Sequence, residues 1–154
     1  MNSRLSNRSL ERLAGVHDDL VRVVKRADEI LTAENPIFDI GVIEGKRTLE
    51  TQKEYVETGA STTLRSRHLP TLNGEYDYEN GIGHAVDLLC YYKGEVSWHM
   101  GHYQLIHESA MDRAADELDI NIVWGGDWDD DGDYEEHQFK DGPHWQLSWK
   151  EYPG

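Results

Sequence analysis

The stretch HAVDLLCYY, residues 84–92, decides how we expect this chain to fold. It is mostly apolar and predicts a buried strand with Asp87 near its start. Because an unpaired buried charge is costly, that aspartate needs a compensating partner, and a metal ion is one such partner. Cys90, in the same stretch, is the only cysteine. We therefore expect a buried thiol, and we exclude intramolecular disulfides and a cysteine-based zinc site.

Helices and short strands are predicted on both sides of this strand. Their order indicates the α+β class, with a mostly antiparallel sheet, about three packed helices and the candidate site at the sheet. Turn formers dominate residues 61–83, which we predict to be a long loop. We treat residues 1–154 as a single small domain and consider residues 1–12 as a flexible N-terminus. The predicted helices span 18–31, 49–58 and 100–118, and the other predicted strands span 38–43, 120–124 and 144–149.

The bulk composition excludes several partners. The 154-residue chain carries a formal net charge of -15, so it is repelled by nucleic acid phosphates and by anionic membrane surfaces. Its longest apolar run is too short for stable membrane insertion. Residues 1–12 mix charges with serine and asparagine and do not form a secretory signal. We expect a monomer that binds neither nucleic acid nor membrane.

Three separate segments offer ligands for a hydrolytic metal site. Such a site needs three protein ligands, an open position for water, a base, and a cationic group for the developing oxyanion. A loop offers His68, the central strand offers Asp87, and the last strand offers His144, with Asp141 three residues earlier. His84 points away from Asp87 on a strand and is not expected to be a ligand. Eight histidines and thirty acids allow many such triplets, so spacing alone does not single these out.

The segments around these residues resemble a known family of cell-wall enzymes. Ser-x-His, Gly-x-Ala-x-Asp and a late acid-x-x-His-Trp are similar to motifs shared by D-alanyl-D-alanine carboxypeptidases, vancomycin-resistance D,D-dipeptidases and phage L-alanyl-D-glutamate endolysins. Further segments resemble the endolysin branch, so that the resemblance extends over residues 13–149. They are VHDDLV at 16–21, EGxRT at 44–48, GASxT at 59–63 and WGGDW at 124–128.

The resemblance implies a zinc metallopeptidase and assigns a role to five residues. His68, Asp87 and His144 match the zinc ligands. Asp141 matches the catalytic acid, with Glu135 or Glu136 as alternatives, and Arg47 matches the arginine that supports the scissile carbonyl. In the family the first histidine and the aspartate usually lie closer together. Here they are nineteen residues apart, because residues 69–82 contain an insertion.

The implied substrate is the stem peptide of bacterial peptidoglycan. An endolysin that cuts L-Ala-D-Glu bonds is the favoured interpretation, and a D,D-carboxypeptidase that trims D-Ala-D-Ala is the alternative. A non-catalytic metal- or calcium-binding wall module is a third interpretation. An endolysin would be made in the host cytoplasm and would act at the cell wall after release.

An acidic segment suggests a second metal. Its acids alternate before a glycine in the way that opens an EF-hand calcium loop, although Gln138 stands where the bidentate glutamate belongs. A solvated acidic loop is the competing interpretation. The candidate Ca²⁺ ligands are Asp127, Asp129, Asp131, Asp133, Glu135 and Glu136.

Overall fold

The computed structural model describes residues 4–46, 57, 68, 71–72, 75–76, 81–125, 142–148 and 152. Within these residues the helices are α1 (Asn7–Arg12), α2 (Asp18–Glu34), α3 (Met100–Ile106) and α4 (Asp112–Leu118), and a π-helical turn, His107–Met111, joins α3 to α4. The strands are β1 (Phe38–Glu44), β2 (Thr71–Leu72), β3 (Glu75–Tyr76), β4 (Ala85–Tyr92), β5 (Glu95–Ser97), β6 (Ile122–Trp124) and β7 (His144–Leu147).

One antiparallel sheet organises the described part of the chain, and β4 lies at its centre. The strand order is β1-β4-β7-β6, and β5 pairs with the second half of β4. Some residues of β4 pair with β1 and also with β5 or β7. A strand can pair with only one neighbour on each edge at a given residue, so β5 and β7 both lie on the edge of β4 that faces away from β1. The described residues form a small α+β domain, as the sequence predicted.

Helix α2 supplies one side of the hydrophobic core. It begins after His17, whose Nδ1 accepts a hydrogen bond from the backbone of Asp19 at 3.1 Å. Its apolar positions recur every three or four residues, so one face packs against β1, the π-helical turn and α4. The buried apolar residues on this face are Leu20, Val23, Val24, Ala27, Ile30 and Leu31.

Most of the predicted elements are present at nearly the predicted positions. The predicted helix at 18–31 is α2, the strand at 38–43 is β1, and the strand at 84–92 is β4. The predicted helix at 100–118 is one continuous run of α3, the π-helical turn and α4. The strands at 120–124 and 144–149 are shorter than predicted, and β5 was not predicted. The predicted helix at 49–58 lies outside the described residues except for Glu57, which is helical.

The prediction of a structureless loop at 61–83 is wrong where the structure describes it. Strands β2 and β3 form an antiparallel hairpin inside the insertion. The two residues between them are Asn73-Gly74, the commonest sequence of a tight hairpin turn. The segment ends at Gly83, whose N–H donates to Gly15 at 2.8 Å and whose carbonyl accepts from His17 at 2.9 Å. The sequence therefore contained a hairpin signal that we counted only as turn residues.

Residues 4–12 contain helix α1 and make contacts with the rest of the chain, and the flexibility that we considered for residues 1–12 stays a prediction. Ser6 caps α1 by accepting a hydrogen bond from the backbone of Ser9. Arg4 donates from its backbone to Asp28 Oδ2 at 2.9 Å and from its guanidinium to the carbonyl of Phe38 at 2.6 Å. Only Leu5 of this segment joins the hydrophobic core, and most of its printed contacts are polar, so apolar periodicity could not reveal it. None of the described helices has the length and apolar character needed to span a bilayer.

Candidate metal centre

Strand register brings two of the predicted ligands together. Asp87 in β4 lies directly opposite His144 in β7. Directly opposed residues of antiparallel strands project from the same face, so these side chains are neighbours. The Nδ1 atom of His144 lies 3.2 Å from Oδ1 of Asp87.

The third predicted ligand reaches the same carboxylate from outside the sheet. Nε2 of His68 lies 3.1 Å from Oδ1 of Asp87, and its Nδ1 lies 2.7 Å from the carbonyl oxygen of Gly45, just after β1. The rings of His68 and His144 meet edge to face with centroids 5.0 Å apart. One ligand atom from each of the three residues lies within 4.8 Å of the others. The structure thus brings together side chains that are far apart in the sequence.

The hydrogen bonds behind the two imidazoles fix which nitrogen faces the carboxylate. A carbonyl oxygen can only accept, so His68 must donate its Nδ1–H to Gly45, which leaves the lone pair on Nε2. His144 donates its Nε2–H to Oε1 of Gln146 at 2.9 Å, which leaves the lone pair on Nδ1. When both imidazoles are neutral, as metal ligands must be, these lone pairs point toward Asp87. Three electron-rich atoms that converge repel one another unless a cation lies among them, so this donor set fits a bound metal ion.

The two histidines of the cluster are buried, and its aspartate is partly exposed. His68 is 2% exposed and His144 is 7% exposed, whereas the side chain of Asp87 is 22% exposed, so solvent reaches the cluster from the side of the carboxylate. Burial by itself raises the pKa of Asp87, but when His68 and His144 carry protons in the metal-free site, their positive charge and the hydrogen bonds they donate outweigh burial and hold that pKa well below its usual range. The carboxyl group is therefore ionised at neutral pH and is available as a ligand.

Gln146 is a site residue that the sequence analysis missed. It is 7% exposed and lies two positions after His144 in β7, so the two side chains share a face of the strand. That i, i+2 spacing was the available signal. The neighbouring Trp145 belongs to the hydrophobic core, and its Nε1 donates to Nδ1 of His107 at 3.1 Å.

Contacts from β6 fix the start of β7. The indole Nε1 of Trp124 donates to the carbonyl of Gly142 at 2.7 Å, and the backbone N–H of Gly125 donates to the carbonyl of His144 at 2.8 Å.

His84 lies outside the cluster of three, as predicted, with Nδ1 3.4 Å from Oγ1 of Thr71.

Comparison with known proteins agrees with this geometry. A family model described as phage L-alanyl-D-glutamate peptidase matches residues 1–148. The chain belongs to this family. It is therefore an enzyme of the peptidoglycan-cleaving type, and the resemblance seen in the sequence motifs is confirmed.

Two relatives and one solved structure illustrate membership of the phage L-alanyl-D-glutamate peptidases. The chain is 26% identical over 153 residues to the L-alanyl-D-glutamate peptidase of Escherichia phage T5, covering 96% of this chain and 99% of that protein. It is 29% identical over 141 residues to that of Listeria phage A118, covering 86% of this chain but only 42% of the relative. The structure of the Serratia marcescens L-Ala D-Glu endopeptidase ChiX is similar with a TM-score of 0.74 and 37% identity, over 99% of this chain and 96% of that one.

Several predicted site residues of this phage-type peptidase lie outside the described residues. They are Arg47, Asp141 and the six candidate calcium ligands between 127 and 136. Their roles remain predictions. The structure does describe the residues next to them. Lys46 directly precedes Arg47. Gly125 lies before the acidic segment, and Gly142 directly follows Asp141.

Proposed function

We propose that this chain cleaves the L-Ala-D-Glu bond of peptidoglycan stem peptides by using a water molecule activated at a zinc ion. The observation that carries the proposal is the cluster of His68, Asp87 and His144, in which one nitrogen of each imidazole lies within 3.2 Å of the same carboxylate oxygen. Family membership supports the class of substrate, and the known relatives, which are L-alanyl-D-glutamate peptidases, support the bond.

Zinc is the metal that the donor set favours. Two neutral imidazoles and one carboxylate are a common catalytic zinc set, whereas magnesium and calcium prefer oxygen ligands. Three protein ligands leave a position for water. A zinc ion bound there would lower the pKa of that water to about 7 and polarise the scissile carbonyl.

Asp141 is the proposed general base. It would take the proton from the attacking water and pass it to the leaving amine. Its neighbour Gly142 is held by Trp124 through a 2.7 Å hydrogen bond, and His144 follows two residues later. A carboxylate next to this fixed backbone is therefore a good candidate for the general base at the metal.

Arg47 is the proposed oxyanion partner. It follows Gly45 by two residues, and the Gly45 carbonyl accepts the 2.7 Å hydrogen bond from His68. A guanidinium group is always charged and can bind the developing negative oxygen of the scissile carbonyl.

A decisive experiment measures metal content and reaction products together. Purified protein is analysed for bound metals, stripped with a chelator, and reloaded, and each form is incubated with purified peptidoglycan. We expect about one zinc per chain and new D-glutamate amino termini, found by mass spectrometry, only in the zinc-loaded form. Released D-alanine instead would indicate a D,D-carboxypeptidase. Metal binding without any product would indicate a non-catalytic wall module.

The proposed base can be tested separately from the metal. Asp141→Asn should retain zinc and lose peptidoglycan cleavage by about 100-fold or more, because proton transfer contributes at least about that much. Asp87→Asn is the matched comparison, since the same change at a ligand should reduce both zinc content and cleavage. Full activity in Asp141→Asn would mean that another acid is the base, and Glu135 and Glu136 would be the first candidates.

Calcium binding by residues 127–136 is a further part of the proposal. The described ends of this region support a link with the site, because the N–H of Gly125 bonds to the carbonyl of His144. Calcium that orders the segment would then help to position Asp141 and His144. Added calcium should raise thermal stability and rate at saturating zinc, and no change in either quantity would refute the idea.

The place of action follows from the substrate. Peptidoglycan is found in the cell wall, so we propose that the enzyme acts there as a monomer after synthesis in the host cytoplasm. Sedimentation velocity of the purified chain tests the monomer, since a single species near 17.7 kDa is expected.

A further inference from the structure

An exposed apolar surface lies where β5 connects to α3. We name it the Trp98 patch, formed by Val96, Trp98 and Met100, whose exposed fractions are 49%, 69% and 39%. Elsewhere in the described residues only three large hydrophobic side chains are classed as exposed, namely Leu10, Ile37 and Ile43. Clustered apolar groups in water commonly mark a binding surface.

Ring contacts and a hydrogen bond fix the residues that neighbour the patch in the sequence. The ring of His102 lies 4.6 Å from that of Tyr92 and 5.1 Å from that of His99. Nδ1 of His102 also lies 2.6 Å from Oγ of Ser97, the residue before Trp98. A patch with such fixed neighbours loses little conformational entropy when a ligand binds.

One member of the patch contacts the segment that leads into the candidate metal centre. A Cβ atom built on Gly142 would lie only 3.1 Å from the sulfur of Met100, so Met100 packs directly on the Gly142 backbone. His144 follows Gly142 by two residues. A substrate that reaches from the metal centre over Gly142 therefore meets the Trp98 patch.

The chemistry of the substrate requires a sugar near this position, an argument that rests on the proposed function. In peptidoglycan the L-alanine is the first residue of the stem peptide and is joined through a lactyl group to N-acetylmuramic acid. One residue spans roughly 3.5 Å, so an L-Ala-D-Glu bond at the metal holds the glycan strand close to the site. A cut at D-Ala-D-Ala, near the far end of the stem, would impose no such proximity.

We infer that the Trp98 patch binds the glycan strand of peptidoglycan, a chain of N-acetylated hexosamines. The C–H-rich faces of sugar rings carry partial positive charge and pack against the electron-rich face of an indole. The three side chains of the patch are uncharged, although the whole chain has a net charge of -15 and Glu95 and Glu108 stand at the two ends of residues 96–107. The patch therefore gives a strongly acidic enzyme a neutral surface for contact with the wall.

A groove beside the patch offers room for neighbouring sugars. It is shallow and open to solvent, has a volume of about 500 Å³, and follows one side of the helix from Gly101 to Ser109. Gln104 and Glu108 line it and are joined by a 3.3 Å hydrogen bond. Amide and carboxylate groups of this kind suit the hydroxyl and acetamido groups of the strand.

Other occupants fit less well. A bilayer surface that is anionic repels a chain with a net charge of -15. A stable protein partner buries about 800 Å² on each side, which three side chains do not supply. The size and neutrality of the patch favour a sugar chain.

The test compares peptide-free glycan strands with sugar-free peptides. Binding of strands from which an amidase has removed the stem peptides is measured by tryptophan fluorescence and by co-sedimentation with insoluble strands. Trp98→Ala should weaken binding by about tenfold, whereas Trp98→Phe should retain most of it. Leu10→Ala, an exposed apolar change on α1, is the control and should bind as the wild type does.

Kinetics separate this inference from the proposed function. Trp98→Ala should raise KM on intact peptidoglycan by about tenfold, and the loss on a short L-Ala-D-Glu peptide should be clearly smaller. If the wild type cleaves that peptide but binds peptide-free strands no better than Trp98→Ala does, the inference is wrong while the proposed function stands. A failure to cleave the peptide refutes the function instead. Trp98-dependent binding to phosphatidylglycerol vesicles, or a Trp98-dependent dimer in sedimentation, would assign the patch to a different occupant.

Discussion

Replacing Gln146 by methionine tests whether the hydrogen bond behind His144 tunes the metal site. The side chain keeps its length and remains apolar enough for the sheet interior, but Oε1, which accepts from His144 Nε2 at 2.9 Å, is lost. The imidazole then either leaves a buried N–H without this acceptor, at a cost of about 1–3 kcal/mol, or moves its proton to Nδ1 and blocks the ligand position.

Both outcomes weaken metal binding. Loss of a hydrogen bond that orients a metal-bound histidine typically lowers affinity 10- to 100-fold, or about 1.4–2.7 kcal/mol. The zinc dissociation constant is measured by competition with a chromophoric chelator for the wild type, Gln146→Met and Gln146→Glu.

Two further variants serve as controls for Gln146→Met. Gln146→Glu keeps an acceptor and should bind zinc at least as tightly as the wild type. Gln104→Met makes the same chemical change on α3, away from His144, and should leave the zinc affinity unchanged. Equal zinc affinity in Gln146→Met and the wild type would show that the tautomer of His144 is not set by this bond.

Three further predictions concern packing and titration. Gly45→Ala should destabilise the fold by about 1–3 kcal/mol in urea unfolding and weaken zinc binding, because its Cβ would lie 2.5 Å from the Arg12 carbonyl oxygen. Burial raises the pKa of Cys90 to about 11 from 9.0, so the free energy of unfolding should fall as pH rises from about 9 toward 11. Cys90→Ala should reduce that slope and leave the part due to Tyr103, whose pKa burial also raises. His107→Leu removes the acceptor of Trp145 Nε1 and should cost about 1–3 kcal/mol in metal-free protein, whereas unchanged stability would mean that this bond contributes nothing.

The sequence was sufficient for features that depend on local periodicity. Helix α2 and strand β4 follow from the spacing of apolar residues, because one face of each must be buried. The same reasoning missed α1, whose Ser9 and Arg12 make hydrogen bonds to the backbone of Val42, and it missed the β2-β3 hairpin, whose strands are only two residues long. Short elements carry too few residues for a period to appear.

The sequence by itself determined the family and nominated His68, Asp87 and His144, because the motifs that carry the resemblance are short patterns of neighbouring residues. Only the tertiary structure decided that these three converge, since the pairing of β4 with β7 and the turn after β1 depend on contacts between distant segments. It also decided which nitrogen of each imidazole faces Asp87, and it made Met100 a neighbour of Gly142. Proximity of this kind arises from packing of the whole chain, and packing is not encoded in any one stretch of residues.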